Sequence, residues 1–313
     1  MAYNLFRGPI GQDFNAVNYG REFETVVQLG ASKVTGPDGK MLWGSEPDRG
    51  GDHWEEAYHT QLLGNAQKAM SLHDTAPEVG YESKATVYAG FNKYHVGYSM
   101  LKEAVEDELH GISAKMVGTL GEVMEETHQM TYIEPWNLGT TFISGWQNKA
   151  MFATDLSILG DDAYVVSNIM DDLGGPSYQA ALALEEYGAN FVNQEGRPSS
   201  RRLTDLFCGY TTAREWGSVY SSPVNIEGNA TLPAPTLADK PTITALNRMA
   251  NSRDTWACFE GWREMVICVD RYRNRQRTID IPEPEAVKHT VASRFLFFFR
   301  ESRLLVKIPG PVA

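Results

Sequence analysis

The clearest pattern along the chain is a run of apolar residues with helical spacing that starts near residue 99. Apolar side chains recur at steps of three and four residues, which places them on one face of an α-helix. This spacing predicts a helix from Ser99, its N-cap, to about Thr131. At 1.5 Å per residue such a helix is on the order of 50 Å long. Its predicted apolar face consists of Leu101, Val105, Leu109, Ile112, Met116, Leu120 and Val123.

A two-residue alternation of bulky side chains with small or polar ones precedes this helix. The bulky positions are odd-numbered up to Phe91 and even-numbered from Tyr94 to Tyr98. A turn or bulge at Asn92-Lys93 explains the change, because one inserted residue exchanges the two faces of a strand. The pattern predicts a β-hairpin over about 84–98. Since a two-stranded hairpin alone is only marginally stable in water, this one needs a partner surface.

The remaining patterns mix short helices with strands and predict an α+β protein. Residues 1–52 combine many turn formers with scattered apolar residues, which predicts an extended arm that lies on another surface. Four prolines between residues 222 and 241 predict a long loop. Helices are predicted at about 54–70, 176–187, 211–221 and 243–251, and strands at 140–153, 164–169, 203–208, 256–270, 275–281 and 287–308.

Composition places the chain among globular proteins. Of its 313 residues, 42% are hydrophobic and 22% charged, and no apolar run approaches the roughly 20 residues of a membrane span. The first residues lack the basic and apolar regions of a secretory signal, so we expect no export by that route. Three widely spaced cysteines favour reduced thiols over a disulfide scaffold or a Cys-based zinc site. The expected compartment is therefore a reducing one.

The charge of the chain disfavours partners that are polyanions. The net charge is -12, and such a surface repels the phosphates that Lys and Arg would have to neutralise. The acidity is uneven along the chain. Residues 253–313 have 11 Lys and Arg against 8 Asp and Glu, net +3, whereas residues 1–252 have 17 against 32, net -15.

Two acid-x-x-His pairs in the predicted long helix are the candidate metal ligands. Glu125 and His128 have the spacing of carboxylate-bridged di-iron sites, and Asp107 and His110 repeat it. The pairs lie roughly 27 Å apart along one helix, whereas a di-iron site gathers ligands from four helices. We interpret them as part of a solvated acidic face and keep an oligomeric metalloenzyme as a distant alternative. Nucleophile, phosphate-loop and dinucleotide motifs are missing, so no catalytic residue, metal or cofactor is predicted.

Four arginines at alternate positions, 271, 273, 275 and 277, would line one face of a strand. Two interpretations remain open. The row could guard an exposed sheet edge with charge. It could instead form ion pairs between subunits with acids from the earlier part of the chain.

The order of the predicted elements resembles the major capsid proteins of tailed bacteriophages, which have the Hong Kong 97-type fold. Residues 98–111 look like that family's entry into its spine helix, where a Ser precedes an acid-rich amphipathic turn and a Gly. Residues 180–221 are similar to its axial domain, in which a helix leads into a buried strand and a second helix. Residues 294–313 resemble the closing strands of its peripheral domain. The resemblance extends over residues 80–313.

The resemblance implies a domain organisation and a set of contact residues. We expect an N-terminal arm at 1–52, a short helix and the extended hairpin, or E-loop, at 53–98, and a peripheral domain with the spine helix at 99–150. An axial domain follows at 151–264, and strands of the peripheral domain return at 265–313. In such shells the arm and E-loop lie across neighbouring subunits. The expected intersubunit contacts are Val87, Tyr88, Phe91, Tyr94, Arg271, Arg273, Arg275 and Arg277.

The function implied by the resemblance is assembly without catalysis. The chain would form pentamers and hexamers of an icosahedral head, with portal and scaffold or decoration proteins as partners and no membrane. The head would assemble in the host cytoplasm and enclose double-stranded DNA without sequence-specific binding. The alternative within the same fold is an encapsulin, the shell of a cellular nanocompartment.

Overall fold

The structure is a computed structural model that describes residues 42–48, 50, 53–63, 80–103, 112–158, 161–194, 196–221, 240–282 and 285–311. The helices are α1 (Ile112–Asn137), α2 (Tyr178–Ala189), α3 (Tyr210–Ser221) and α4 (Trp262–Met265). The strands are β1 (Gly44–Ser45), β2 (His53–Leu63), β3 (Gly80–Gly90), β4 (Asn92–Leu101), β5 (Ile143–Ser144), β6 (Lys149–Ala150), β7 (Leu156–Ile158), β8 (Asp161–Val166), β9 (Leu203–Cys208), β10 (Thr242–Ala245), β11 (Thr255–Phe259), β12 (Val266–Ile281), β13 (Ala286–Phe299) and β14 (Leu305–Ile308). The predicted arm and the predicted loop at 222–241 lie almost entirely outside the described residues.

The chain divides into two compact units, and each is assembled from separate stretches of sequence. The first unit takes its described residues from 1–50, 91–134 and 268–296. The second takes them from 51–90, 135–267 and 297–313. Elements that the sequence separates widely are therefore brought together within each unit.

The first unit is built on a four-stranded sheet with the order β1-β12-β13-β4. Strand β4 runs antiparallel to β13, with Val96 opposite Val291. One face of this sheet packs on α1, where even-numbered β4 residues contact a buried cluster. The cluster and its half-buried neighbours are Val117, Leu120, Met124 and Val291 with Tyr94, Val96 and Tyr98.

The prediction of a long helix is confirmed, but its start is wrong and its buried face is only partly right, since Leu120 is buried as predicted. Ser99 and Leu101 lie in β4, so Ser99 is not a helix N-cap, and α1 continues beyond Thr131 to Asn137. Two apolar stripes run side by side along this helix. The stripe that packs on the sheet contains Val117 and Met124, whereas the predicted Met116 and Val123 are 47% and 40% exposed. Sequence spacing alone could not choose between stripes that differ by one residue.

The predicted hairpin over about 84–98 is wrong, although both of its strands exist. Strand β3 pairs with β2, and β4 pairs with β13. The change of phase near Asn92 therefore marks the passage from one sheet to another and is not a hairpin turn. The helix predicted at 54–70 is also wrong, because 53–63 forms strand β2. Its Glu, Ala, Gln and Leu residues favour a helix, but a ladder of ten residue pairs from His53–Gly90 to Leu63–Gly80 outweighs that local preference.

The second unit is built on the sheet β10-β9-β11-β14. Its core contains an aromatic cluster in which Trp136 lies 5.3 Å from Trp256 and 6.2 Å from Trp262, measured between ring centroids. The predicted strand at 203–208 is confirmed as β9, and α2 and α3 lie within two residues of the predicted helices. Helix α2 begins after Ser177, whose hydroxyl accepts a hydrogen bond from the amide of Ala180.

Two further predictions in this unit are wrong. The helix predicted at 243–251 is replaced by β10, a short segment rich in β-branched residues that pairs parallel to β9 with Ile243 opposite Leu206. The strand predicted at 256–270 is broken at Gly261, which has a φ of 89°, and the short helix α4 follows. A left-handed backbone suits glycine, and here it separates β11 from the short helix.

Candidate functional site

The β2–β3 hairpin is a long ribbon that offers two strand edges. Its 11-residue strands span about 35 Å. In the described part of the chain neither strand pairs with a third one. Val87 and Tyr88, two predicted contact residues, lie on β3 opposite Glu56 and Glu55. A strand edge with unpaired amide and carbonyl groups is a template for pairing with another chain.

The four arginines of β12 do not lie on one face, contrary to the prediction. Arg273 donates to the carboxylate of Glu125 on α1, whereas Arg275 and Arg277 line a groove with residues of β4. The alternation is broken at Asn274, whose φ is 52° and whose amide donates to the hydroxyl of Ser293 at 2.8 Å. One residue with a positive φ changes the face to which the following side chains belong.

Arg271, the first of the four arginines, contacts residues of its own chain. Its Nε donates to Asp48 Oδ2 at 3.1 Å, and its guanidinium lies 4.4 Å from the ring centroid of Phe91. The guanidinium of Arg294 lies 5.5 Å from the same ring. Arg271 hydrogen bonds to the Asp48 carboxyl and lowers its pKa, an effect that outweighs burial. Half of the arginine row thus pairs with acids of the same subunit.

Phe91 and Tyr94, predicted as intersubunit contacts, also contact residues of their own chain. Tyr94 stacks on Phe295 with ring centroids 4.9 Å apart and an interplanar angle of 11°. Both aromatic residues remain half-buried. A contact with a neighbouring subunit stays a prediction for them and for Val87, Tyr88 and the arginines.

A charged cluster joins α1 to the sheet of the first unit. Arg273 Nη2 lies 2.5 Å from Glu125 Oε1, and His128 Nδ1 lies 3.5 Å from Glu125 Oε2. Burial acts to raise the pKa of Glu125, but His128 and Arg273 together outweigh it and lower the pKa to about 2. His128 is fully buried, and its ring meets Phe295 edge-on at 4.9 Å. Glu125 is therefore ionised at neutral pH and holds a cation in place.

The ion pair of Glu125 affects its availability as a metal ligand in the predicted acid-x-x-His pairs. Glu125 is already paired with Arg273, and no group of three or more possible metal ligands occurs among the described residues. Asp107 and His110 lie outside the described residues. In the part of the chain that is described, no helix is apolar and long enough to cross a membrane.

A basic groove crosses the first unit on the sheet face opposite α1. Its volume is about 550 Å³, and no acidic residue is among the described residues that line it. Sequence analysis missed Lys93 and His95 as part of this site, although they alternate with the half-buried Tyr94 and Val96 and so had to point away from the core. The groove is lined by Lys93, His95, Tyr272, Arg275, Gln276, Arg277, Ile279, Thr290 and Ala292.

An apolar stripe on α1 is a further exposed surface of the first unit. Met116, Val123 and Met130 are spaced seven residues apart, which places them on one side of the helix. Met130 is 63% exposed. Single apolar residues on a surface are normal, but a row of them indicates a contact surface.

The second unit contains a cavity of about 330 Å³ at the end of α2. Tyr187 and Arg303 line it, and Arg303 is buried, with its Nη1 donating to the carbonyl of Val192 at 2.8 Å. Burial raises the pKa of Tyr187 well above its usual value, so its hydroxyl stays protonated at neutral pH, and it donates a hydrogen bond to the carbonyl of Arg303. Among the described lining residues there is no Ser, Cys or His to act as a nucleophile.

Comparison with known proteins shows which solved structures share this fold. No protein-family model matches the sequence, and no curated protein matches it. Solved structures do match. A chain from Microbacterium phage Oxtober96 has a TM-score of 0.52 and 10% identity, with 89% of this chain and 93% of that chain covered.

Two further matches are described as capsids. The capsid of an empty GTA particle has a TM-score of 0.52 and 7% identity, with 89% of this chain and 92% of that chain covered. The capsid of the cyanophage P-SCSP1u has a TM-score of 0.51 and 8% identity, with 87% of each chain covered. The chain therefore has the α+β fold of tailed-phage capsid proteins, and the prediction of that fold is confirmed.

Proposed function

We propose that this protein is the major capsid protein of a tailed bacteriophage and assembles into its icosahedral head. The observation that carries the proposal is a shared fold that extends over nearly nine-tenths of this chain and of capsid chains. Since the matched chains are capsid proteins, we expect the role to be structural, with no turnover.

The described surfaces support a mechanism of assembly. In the described part of the chain the β2–β3 hairpin has no third strand on either edge, and the apolar stripe of α1 is exposed to solvent. Contacts between different surfaces of successive copies close into rings, and rings of five and six build a closed shell. We expect the predicted contact residues of β3, β4 and β12 to lie in those contacts.

The charge of the chain suits a container for DNA. A net charge of -12 repels phosphates, so the wall encloses the genome without binding it tightly. Portal and scaffold or decoration proteins are the expected partners, and the host cytoplasm is the expected place of assembly.

Negative-stain electron microscopy of the overexpressed protein tests the proposal. We expect closed shells or capsomers with five-fold and six-fold symmetry, either from the protein alone or after co-expression with its upstream gene neighbour. A discrete dimer or tetramer under every condition would contradict the proposal.

A cellular cargo shell of the same fold is the rival function. The gene neighbourhood separates the two, because terminase and portal genes belong with a phage and a cargo enzyme gene belongs with a compartment. Shells that copurify with one stoichiometric cargo enzyme would favour the rival.

A further inference from the structure

The basic groove contains cations that no described residue of its own subunit neutralises. Lys93, Arg275 and Arg277 lie around it together with His95. Within the described part of the chain none of these four has an ion-pair partner, and Arg275 makes only a cation–π contact, 5.8 Å from the ring centroid of Tyr272. The contrast with Arg271 and Arg273, which are both paired, is sharp along a single strand.

Stability of the subunit does not explain this concentration of charge. The groove lies on the sheet face opposite the buried cluster, so its cations do not pack in the core. Like charges placed together on a surface repel one another unless an anion lies between them. An acidic occupant would convert that repulsion into attraction.

The densest acidic run in the sequence is a suitable occupant. Residues 103–108, Glu-Ala-Val-Glu-Asp-Glu, have four carboxylates among six residues. Val105 and the following Leu109 add apolar side chains, and the groove offers Tyr272 and Ile279 beside its cations. We propose that the basic groove binds the acidic run 103–108 of a second copy of this chain.

The connectivity of the chain indicates that the run comes from a second copy. The run connects the end of β4 at Leu101 to α1, and α1 packs on the face opposite the groove. At one end of the groove Lys102 pairs with Asp280, beside Ile279, whereas Lys93 at the other end is about 26 Å from Leu101 along β4. The run of a neighbouring subunit is limited neither by its own link to α1 nor by this distance. The inference rests on the proposed function, since it names a contact within the shell.

A nucleic acid is the competing polyanion. The groove is mixed, with aromatic and aliphatic side chains among its cations, and the chain as a whole has a net charge of -12 that repels phosphates. Both properties favour an acidic peptide. DNA is nevertheless one arm of the test.

Peptide binding to the full-length protein, kept dilute enough to remain unassembled, measures the contact directly. The probe is a fluorescent peptide of residues 101–111, followed by fluorescence anisotropy. Arg275→Glu with Arg277→Glu should weaken binding about tenfold or more, because two attractive contacts become repulsive. Lys288→Glu, an exposed site on β13 outside the groove, is the matched control and should leave binding unchanged.

Three results would overturn the inference. One is equal binding by the wild type and the Arg275/Arg277 double variant. The second is preferential binding of a peptide of residues 53–63 to the groove, and the third is preferential binding of a DNA oligonucleotide. Arg275→Gln with Arg277→Gln provides a milder variant in case the double reversal unfolds the subunit, and thermal unfolding monitors the fold of each variant.

Charge exchange in the shell tests the same contact during assembly. The double reversal should abolish shells, and combining it with Glu106→Lys, Asp107→Lys and Glu108→Lys should restore them. If the wild type assembles and the double variant assembles equally well, the inference fails while the proposed function stands. If the wild type never assembles, the proposed function fails and peptide binding alone decides whether the groove takes the acidic run.

Discussion

At the scale of single residues, the contact between Glu125 and Arg273 fixes α1 against the sheet of the first unit. The pair lies partly buried, and His128 adds a second contact to the same carboxylate. Hydrogen bonds to charged groups contribute more to stability than neutral ones, and they leave a costly unpaired charge when one partner is removed. We interpreted the spacing of Glu125 and His128 as part of a solvated acidic face, which is wrong for this pair because His128 is fully buried. Only the fold revealed the arginine that pairs with Glu125.

We predict that Glu125→Gln lowers the free energy of unfolding at pH 7 by about 1–3 kcal/mol. The pH dependence should change as well. The folded pKa of Glu125, about 2, lies below its ordinary 4.5, so its ionised form stabilises the protein above pH 4.5. That contribution is lost as the pH falls from 4.5 towards 2. Chemical denaturation at several pH values measures both effects.

Glu134→Gln is the matched control, since Glu134 lies exposed on the same helix. It should change the free energy of unfolding by no more than about 0.5 kcal/mol. Equal acid sensitivity of the wild type and Glu125→Gln between pH 4.5 and 2 would show that the pair does not stabilise the subunit.

At the scale of elements, strand pairing was harder to predict than strand existence. The alternation around Tyr94 correctly indicated a half-buried strand, but no local pattern shows that β4 pairs with β13, which begins almost two hundred residues later. The β2 segment was misread for the same reason, since its partner and not its own composition decides its conformation. Helices α2 and α3 were predicted well because their spacing and the Ser177 cap are local signals.

The hairpin predicted over 84–98 and the observed β2–β3 hairpin lead to different expectations for two deletions. His53 and Gly90 are paired neighbours, so a four-residue Gly-Ser linker can replace 54–89 without disturbing either end. We expect this variant to fold, with cooperative thermal unfolding, and to form no shells in electron micrographs. Deleting 84–97 instead removes half of β4 from a four-stranded sheet and should unfold the first unit.

Two outcomes would contradict these expectations for the deletions. Normal shells from the 54–89 replacement would show that the hairpin is dispensable for assembly. A folded subunit after deletion of 84–97 would contradict the pairing of β4 with β13.

At the scale of the whole molecule, the order of elements was predictable, although several strand pairings and helix positions were not. A long helix between an upstream ribbon and a compact α/β region, with long strands returning at the end, sufficed to indicate the capsid fold. The basic groove was not predictable, because it combines β4 with β12 and depends on an irregularity at Asn274. The row of four arginines suggested a single surface, and the fold distributes it between two.

The three cysteines provide a probe of the whole fold. Cys208, Cys258 and Cys268 are buried, and burial raises the pKa of each thiol, that of Cys208 to about 12. Since the thiolate is the reactive form, the native protein should react with Ellman's reagent at none of the three, and the denatured protein at all of them. Lys115→Cys, at an exposed position on α1, is the control and should add one fast-reacting thiol. A native cysteine that reacts as fast as this added thiol would show that the unit containing it opens.

Asn274 has a consequence for how this subunit can vary over evolution. On one side of it, Arg273 stabilises the folded subunit through its partner at position 125. On the other side, Arg275 and Arg277 have no such partner in the described chain and can change together with the surface of a neighbouring copy. A single residue with a left-handed backbone thereby separates the constraint of folding from the constraint of recognition within one strand. Related shells could alter which subunits they accept without losing a stable subunit.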